Sequence, residues 1–459
     1  RGGYNGTVHL KIASGALAVL ALLALPAAEA AVPDELRALT LDNGLRVIVW
    51  PDHDIPNVAL YNYVRAGSRN EAPGITGLAH FFEHMMFNGT ERRPPGDFDR
   101  EMEAQGGSNN ATTSDDLTTY MDWFPKTALE IVFDLEGDRI GHLAFDPKVV
   151  ESERGVVYSE RRLRVEDDNN GFLAEQVQST AFAAHPYHIP TIGWPSDIEG
   201  WTLADLQKFF KTYYAPNNCT FVVAGDVDPE QVFALARKFL APIPRQAAPP
   251  AVRTVEPVQP GEKRVTVERR AQTPLLQLAY KAPKADDPRN VTLGLLATIL
   301  AEGDASRLHR TLVEEKKLAV SVDAYLQEGF DPGLFWVFVT LPEGGDPAVV
   351  EAAIDAEFAR LVKDGVTEGE LARARNLTNV AYFQQLATIN GKARLLGEYE
   401  VMHGDYRKLF DLPTEIARVT RDDIRTAAKE LLDARHRTVG VLMPPKAASA
   451  SGGRFGGEG

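Results

Sequence analysis

Cysteine is almost missing from this chain. Cys219 stands alone among 459 residues, which excludes an intrachain disulfide and leaves the redox compartment unreadable from cysteine usage. Positive charge is also in deficit. Lys and Arg number 49 against 64 Asp and Glu, a formal net charge of −15, which argues against nucleic acid as a partner. Long apolar runs are absent apart from Gly15–Leu25 near the start. That run follows His9 and Lys11 and precedes Pro26 and Ala28-Glu29-Ala30. It is short for a membrane span, and the A-x-A pattern behind it reads as a signal-peptidase site. Residues 1–30 are therefore expected to be a cleavable signal peptide, and the mature chain to be periplasmic or secreted. What remains is ordinary for globular protein: 44% hydrophobic and 25% charged residues. The length allows two domains with sizeable cores.

Against that plain background one stretch carries chemistry, Gly77-Leu-Ala-His80-Phe-Phe-Glu83-His84-Met-Met-Phe87. In a helix, residues four apart stack on one face, so His80 and His84 can offer two imidazoles to one metal ion. Glu83 lies beside that face. Neutral imidazole suits zinc. A catalytic zinc keeps one position open for water and lowers its pKa, and a nearby carboxylate can act as general base. The pattern is H-x-x-E-H, the inverted zinc motif. The competing reading is a core helix in which Leu78, Phe81, Phe82, Met85 and Met86 pack inward and the histidines are merely polar neighbours. Two imidazoles leave the metal short of a protein ligand, for which Asp146, Glu151, Glu153, Glu160 and Glu166 all remain candidates.

Read in order, the chain gives a strand pair around Asn43-Gly44 and a third strand from Val58 to Val64. The H-x-x-E-H helix follows, with Gly89 near its end. A short helix spans 97–104, and strand-like residues run from Ser108 to Trp123. Helices are expected over 126–142 and 146–166, and a loop at Asp167–Gly171. Thr202-Leu-Ala-Asp205 has the form of a capping box before a helix, and Thr220–Ala224 is a buried-type strand. Pro242–Pro260 is rich in Pro and Ala and marks a linker. Afterwards the order returns, with strands at 264–268 and 275–280, helices at 290–301 and 306–317, and a strand at 333–341. Thr420-Arg-Asp-Asp423, a helix and the strand Thr438–Leu442 repeat the pattern of 202–224. The expectation is an α+β protein of two homologous α/β halves, each a mainly antiparallel sheet flanked by helices. Their bounds are about 31–245 and 258–445, with a linker at 246–257 and a flexible tail at 446–459.

The chain resembles the M16 peptidases, the family of mitochondrial processing peptidase, pitrilysin and insulysin, and within it the bacterial members with two homologous halves. The resemblance is carried by Gly77 to Thr90, by Asn110-Ala111-x-Thr113-Ser114, by Glu153-x6-Glu160, by the spacing from His84 to Glu160, and by His185-Pro-Tyr187. It implies a clam-shell chamber and zinc held by His80, His84 and Glu160, with Mn²⁺ or Co²⁺ possible on the same ligands. Glu83 would be the general base and Glu153 would support the ligands from behind. The strand through Asn110 and Ala111, with Phe87 nearby, would bind substrate backbone by strand addition. The implied activity is zinc-dependent endopeptidase cleavage of unfolded peptides.

One part of the pattern is missing. The family usually carries an Arg and a Tyr seven residues apart in the substrate-clamping half, and here those positions are Val313 and Val320; Arg307, Arg310 and Tyr325 stand at other spacings. The resemblance then implies a heterodimer with a second M16-like subunit that lacks the zinc motif and supplies the clamp. The rival is a non-catalytic peptide-binding or assembly subunit that kept the fold. A nucleophile hydrolase lacks support, since Cys219 heads an apolar strand and no nucleophile elbow occurs.

Overall fold

A computed structural model describes residues 32–445. The expected signal peptide (1–30) and tail (446–459) lie outside the described residues. Among the described residues no helix is long and apolar enough to cross a membrane.

Two sheets organise the molecule. The first contains β1 (Arg37–Thr40), β2 (Arg46–Pro51), β3 (Asn57–Val64), β4 (Ser108–Thr113), β5 (Thr118–Pro125) and β6 (Cys219–Gly225), in the order β1-β2-β6-β3-β5-β4. The second contains β7 (Lys263–Glu268), β8 (Leu275–Lys281), β9 (Ser321–Gln327), β10 (Leu334–Thr340) and β11 (Arg437–Met443), in the order β7-β11-β8-β10-β9. Strands β2 and β6 pair in parallel, as do β7 and β11; from there to β4 and to β9 every pair is antiparallel. Without β1 the two sheets share one topology. Two sheets flanked by helices are thus the fold, as the patterning suggested.

The helices of the first half are α1 (Leu78–Met85), α2 (Asp97–Ala104), α3 (Leu129–His142), α4 (Pro147–Arg161), α5 (Asn169–Ala181), α6 (Pro195–Gly200), α7 (Leu203–Tyr213) and α8 (Pro229–Phe239). Those of the second are α9 (Asn290–Ala301), α10 (Pro347–Asp364), α11 (Glu368–Leu386), α12 (Ile389–His403), α13 (Leu412–Arg418) and α14 (Arg421–Leu431). Thr202 and Thr420 both close capping boxes, with Asp205 and Asp423, so the repeated pattern is repeated structure.

Each sheet is apolar on both faces and needs two covers. One face of the first sheet lies on a core that includes Phe81, Phe82, Phe133 and Phe209 from its own half. Its other face, with Ile48, Trp50, Ala59 and Tyr61, packs on Leu396 and Val401 of α12, a helix from the second half. The exchange is mutual. Leu173, Val177 and Ala181 of α5 pack on Leu275, Ala279, Trp336 and Leu442 of the second sheet. Contact is close at both seams. A Cβ on Gly397 would sit 1.9 Å from the Tyr63 ring, and one on Gly440 would sit 2.2 Å from Val177. The halves are interlocked.

The structure departs from the patterning in several places. The strand-like run 108–123 is broken by a turn at Ser114–Leu117 that makes β4 and β5 a hairpin, and the helix expected over 146–166 passes at Arg162–Glu166 into a wider, π-type coil. Asp167–Gly171 was expected as a loop, but α5 starts at Asn169 because the Asp168 carboxylate accepts from Gly171 N at 2.6 Å. Residues 306–317 were expected as an ordinary helix, but His309–Glu315 form a wider, π-type coil. Within the proline-rich linker, Glu256 accepts the backbone N–H groups of Ala183, Ala184 and His185 at 2.7–2.9 Å, which anchors it beyond the end of α5.

Candidate metal centre and its edge strand

Helix α1 is short and almost wholly buried. Leu78, Ala79, Phe81, Phe82 and Met85 are in the core, and burying each large side chain contributes about 1.5–3 kcal/mol. This satisfies the bland reading of the apolar positions without displacing the histidines, since the helix presents both kinds of residue on different faces. Its N-terminus is fixed by the buried Glu71 carboxylate, which accepts from Gly77 N at 2.6 Å and Ala79 N at 2.7 Å. Tyr120 Oη donates to the Phe82 carbonyl at 3.0 Å.

His80 and His84 lie one turn apart on α1, with ring centroids 4.8 Å apart. Helix α4 lies against α1. It starts cleanly, with Asp146 as cap and Pro147 in its first turn. Val150 and Val157 bury its inner face, and this orients Glu153 and Glu160 toward the histidines. Glu160 Oε2 is 3.2 Å from His84 Nε2 and 3.6 Å from His80 Nε2. Glu153 Oε1 is 2.7 Å from His84 Nδ1. Of the five open carboxylates, Glu160 is the one that gathers with both imidazoles, and the three donor atoms lie within 4.8 Å of one another.

The donor set fits zinc. Ligands about 2.0–2.1 Å from a tetrahedral ion stand roughly 3.3 Å apart, close to the two distances found. Glu153 accepts from Nδ1 of His84, so Nε2 is the nitrogen that would turn its lone pair to a metal once its own proton is displaced. The protonation landscape agrees. Burial, with the His84 charge, pushes His80 down to about 4. Burial also pulls His84 down, but the Glu153 and Glu160 carboxylates outweigh it and raise it to about 9. The hydrogen bond from His84 lowers Glu160 despite partial burial.

Glu83 sits on the next edge of α1. Thr113 Oγ1, at the end of β4, donates to Glu83 Oε2 at 2.6 Å. Burial raises the Glu83 carboxyl above its ordinary value, opposed by that hydrogen bond, and a base works best with its pKa nearer the working pH. Strand β4 ends its sheet, with β5 as its sole partner among the described residues. Its inward residues Asn109, Ala111 and Thr113 face α1 and α2, and Asn110 is exposed. A cavity of about 410 Å³ beside His84 is lined by Phe87, Asp99, Asn109, Asn110 and Glu153. Another of about 280 Å³ beside His80 is lined by Thr113, Glu160, Arg164 and His188.

Sequence reasoning missed three residues. Arg164 Nε holds the outer oxygen of Glu160 at 2.8 Å, a pair foreshadowed by i, i+4 spacing. Thr113 was quoted within a motif but given no role. Glu71 sat unremarked in the loop before α1. Val313 packs half-buried against the second core and Val320 is exposed, and neither supplies a polar group. Cys219 is buried and burial raises its thiol pKa, which removes it as a nucleophile.

Comparison with known proteins fits this architecture. The family model described as insulinase (peptidase family M16) matches residues 46–194, and that described as peptidase M16 inactive domain matches residues 200–378. The chain belongs to the M16 peptidase family. The zinc protease PqqE of Helicobacter pylori is 31% identical over 415 residues, covering 89% of this chain and 92% of that protein. An uncharacterized zinc protease of Mycobacterium tuberculosis, Rv2782c, is 31% identical over 414 residues, covering 89% and 93%. Among solved structures, a protease from Helicobacter pylori superposes with a TM-score of 0.87 at 29% identity, covering 89% of this chain and 99% of that one. The relatives above are named as zinc proteases, and the family model described as an inactive domain falls on the half that lacks the H-x-x-E-H motif.

Proposed function

We infer that this chain is a zinc-dependent endopeptidase acting on unfolded peptides. The observation that carries it is the convergence of His80, His84 and Glu160 beside a buried, Thr113-tethered Glu83. His80, His84 and Glu160 hold the ion, and Glu153 and Arg164 hold two of those ligands. A bound zinc supplies Lewis-acid polarisation of the scissile carbonyl and acidifies the attacking water. Glu83 takes the proton from that water and passes it to the leaving amine. Substrate backbone adds to the free edge of β4 at Asn110 and Ala111. Phe87 and the cavities on either side receive neighbouring side chains. Strand addition demands extended chain, so folded proteins are excluded.

Val313 and Val320 leave the second half without a polar clamp. A second M16-like subunit lacking the zinc motif supplies it, giving a heterodimer in the periplasm or outside the cell. The non-catalytic reading draws on the same two valines and is an outcome of the test. Residues 31–459 are incubated with a mixed pool of unstructured peptides, alone and with host extract lacking this chain, with zinc or with chelator. Zinc-dependent cleavage that needs the extract supports the paired enzyme. Cleavage by the chain alone supports the enzyme and removes the partner. Silence in both supports the non-catalytic subunit.

A further inference from the structure

The turn that joins β4 to β5, Ser114-Asp115-Asp116-Leu117, carries two adjacent carboxylates, and both are buried. Every contact that satisfies them comes from outside the hairpin. Asp115 accepts from Ser68 Oγ at 3.1 Å, Gln178 Nε2 at 3.2 Å, Thr191 Oγ1 at 3.3 Å and Gln327 Nε2 at 2.8 Å. Asp116 accepts from Arg69 Nη1 at 3.0 Å, from Tyr187 Oη at 2.8 and 2.9 Å, and from Phe330 N at 3.0 Å. Gln327 and Phe330 belong to the second half. Asp331, also from that half, donates its N–H to Tyr187 Oη at 3.1 Å, and its carboxylate pairs with Arg69 and with His185 Nε2, the latter at 3.0 Å. Gly329 lets the loop close, since a Cβ there would sit 2.4 Å from Tyr187 Oη and 2.7 Å from Asp116 Oδ2.

This clasp lies next to the chemistry. Thr113, the residue before the turn and the last of β4, is the one whose hydroxyl holds Glu83. The sheet alone gives the hairpin end little rigidity, because among the described residues β4 is an edge strand with one neighbour. Its position is set by the groups that seize Asp115 and Asp116.

We propose that the β9–β10 loop of the second half, through Phe330, Asp331 and the Tyr187–Asp116 bond, is a positioning element that sets Thr113 and hence the general base Glu83. It gives the second half a catalytic duty although it lacks the Arg/Tyr pair. The residues of the clasp touch neither substrate nor metal; they act through Thr113. The proposal rests on the peptidase reading for its kinetic part only.

Tyr187→Phe removes the one hydroxyl shared by Asp116 and Asp331 and keeps the buried ring, and Asp116→Asn keeps shape while removing charge. The test uses the full chain in whatever assembly proves active. Misplacing a catalytic group by a fraction of an ångström is enough to lower kcat about tenfold. Each variant is expected to lose about that much kcat, with KM changed less than threefold and bound zinc undiminished. Thr113→Val lowers kcat by itself, and adding Tyr187→Phe to it should change kcat by less than twofold, because both act through one contact. Amide hydrogen exchange is measured in parallel. Tyr187→Phe should speed exchange across 108–118 by about tenfold and leave α4 unchanged. Unchanged exchange overturns the proposal, as does a kcat loss that multiplies with that of Thr113→Val. If the unsubstituted protein cleaves nothing, the peptidase reading fails, and the exchange result alone decides whether the clasp holds the strand.

Discussion

Glu153 offers a sharp test of how the site works, because one carboxylate does two things. It orients the His84 ring through a 2.7 Å contact to Nδ1, and it adds negative charge behind a ligand. Glu153→Gln keeps an oxygen that accepts the Nδ1 proton and removes the charge. Glu153→Ala removes both. Groups behind a ligand are worth about 10–100-fold in metal affinity, and a neutral hydrogen bond is roughly half as strong as a charge-assisted one. Glu153→Gln should therefore weaken zinc about tenfold, about 1.4 kcal/mol, and Glu153→Ala about 100-fold, about 2.7 kcal/mol. Both should bind one zinc at saturation and keep the fold, since Glu153 is partly exposed on α4. The assay is competition for zinc against a chromophoric chelator at fixed pH. Equal affinities for the two variants would show that orientation contributes nothing. Affinities equal to that of the unsubstituted chain would refute the supporting role of Glu153.

Other expectations follow from the same geometry. His84 is raised to about 9 and His80 lowered to about 4, so at pH 7 in the metal-free centre His84 is a doubly protonated imidazolium and His80 is neutral. Zinc binding at pH 7 should then release about one proton, and affinity should rise about tenfold per pH unit until near pH 9 and then flatten; calorimetry in buffers of differing ionisation enthalpy reads both. Glu160→Gln should weaken zinc far more than Glu153→Gln, because it alters a donor atom itself. At the helix exchange, Gly440→Ala pushes a Cβ to 2.2 Å from Val177 and should cost about 1–3 kcal/mol in urea unfolding. Gly200→Ala meets nothing within 4 Å and should leave stability nearly unchanged. A Gly440→Ala protein as stable as the unsubstituted chain would mean that α5 does not sit tightly on the second sheet.

Much of the site was legible because its spacing is local. His80, Glu83 and His84 share one helix, and Glu153 and Glu160 share another, so helical periodicity alone puts each set on one face. What periodicity could not do was join the two helices. Five carboxylates stayed open until α4 was seen against α1, and only the family resemblance singled out Glu160 beforehand. The paired sheets were legible from capped helices at Thr202 and Thr420, each followed by an apolar strand. The exchange of α5 and α12 was not. An apolar helix face announces that it will be covered, but not which sheet will cover it. Helix α5 was missed because Asp167-Asp-Asn-Asn-Gly171 has loop composition, although Asp168 in fact caps it. The clasp escaped for a different reason. Residues 108–123 read as strand-like throughout, whereas the structure turns the chain at Ser114–Leu117 and buries both carboxylates among donors from segments far apart in the chain. Arg164 could have been found from its i, i+4 spacing to Glu160.

The account turns on Glu83 being the base beside a zinc held by other residues. The most direct measurement compares Glu83→Gln with the unsubstituted chain, in the presence of whatever partner activity requires, by zinc content and by peptide hydrolysis on the same samples. One zinc per chain in both proteins, with hydrolysis in Glu83→Gln reduced by about 10²–10⁴-fold, is the predicted result. Hydrolysis that survives the substitution would contradict the account.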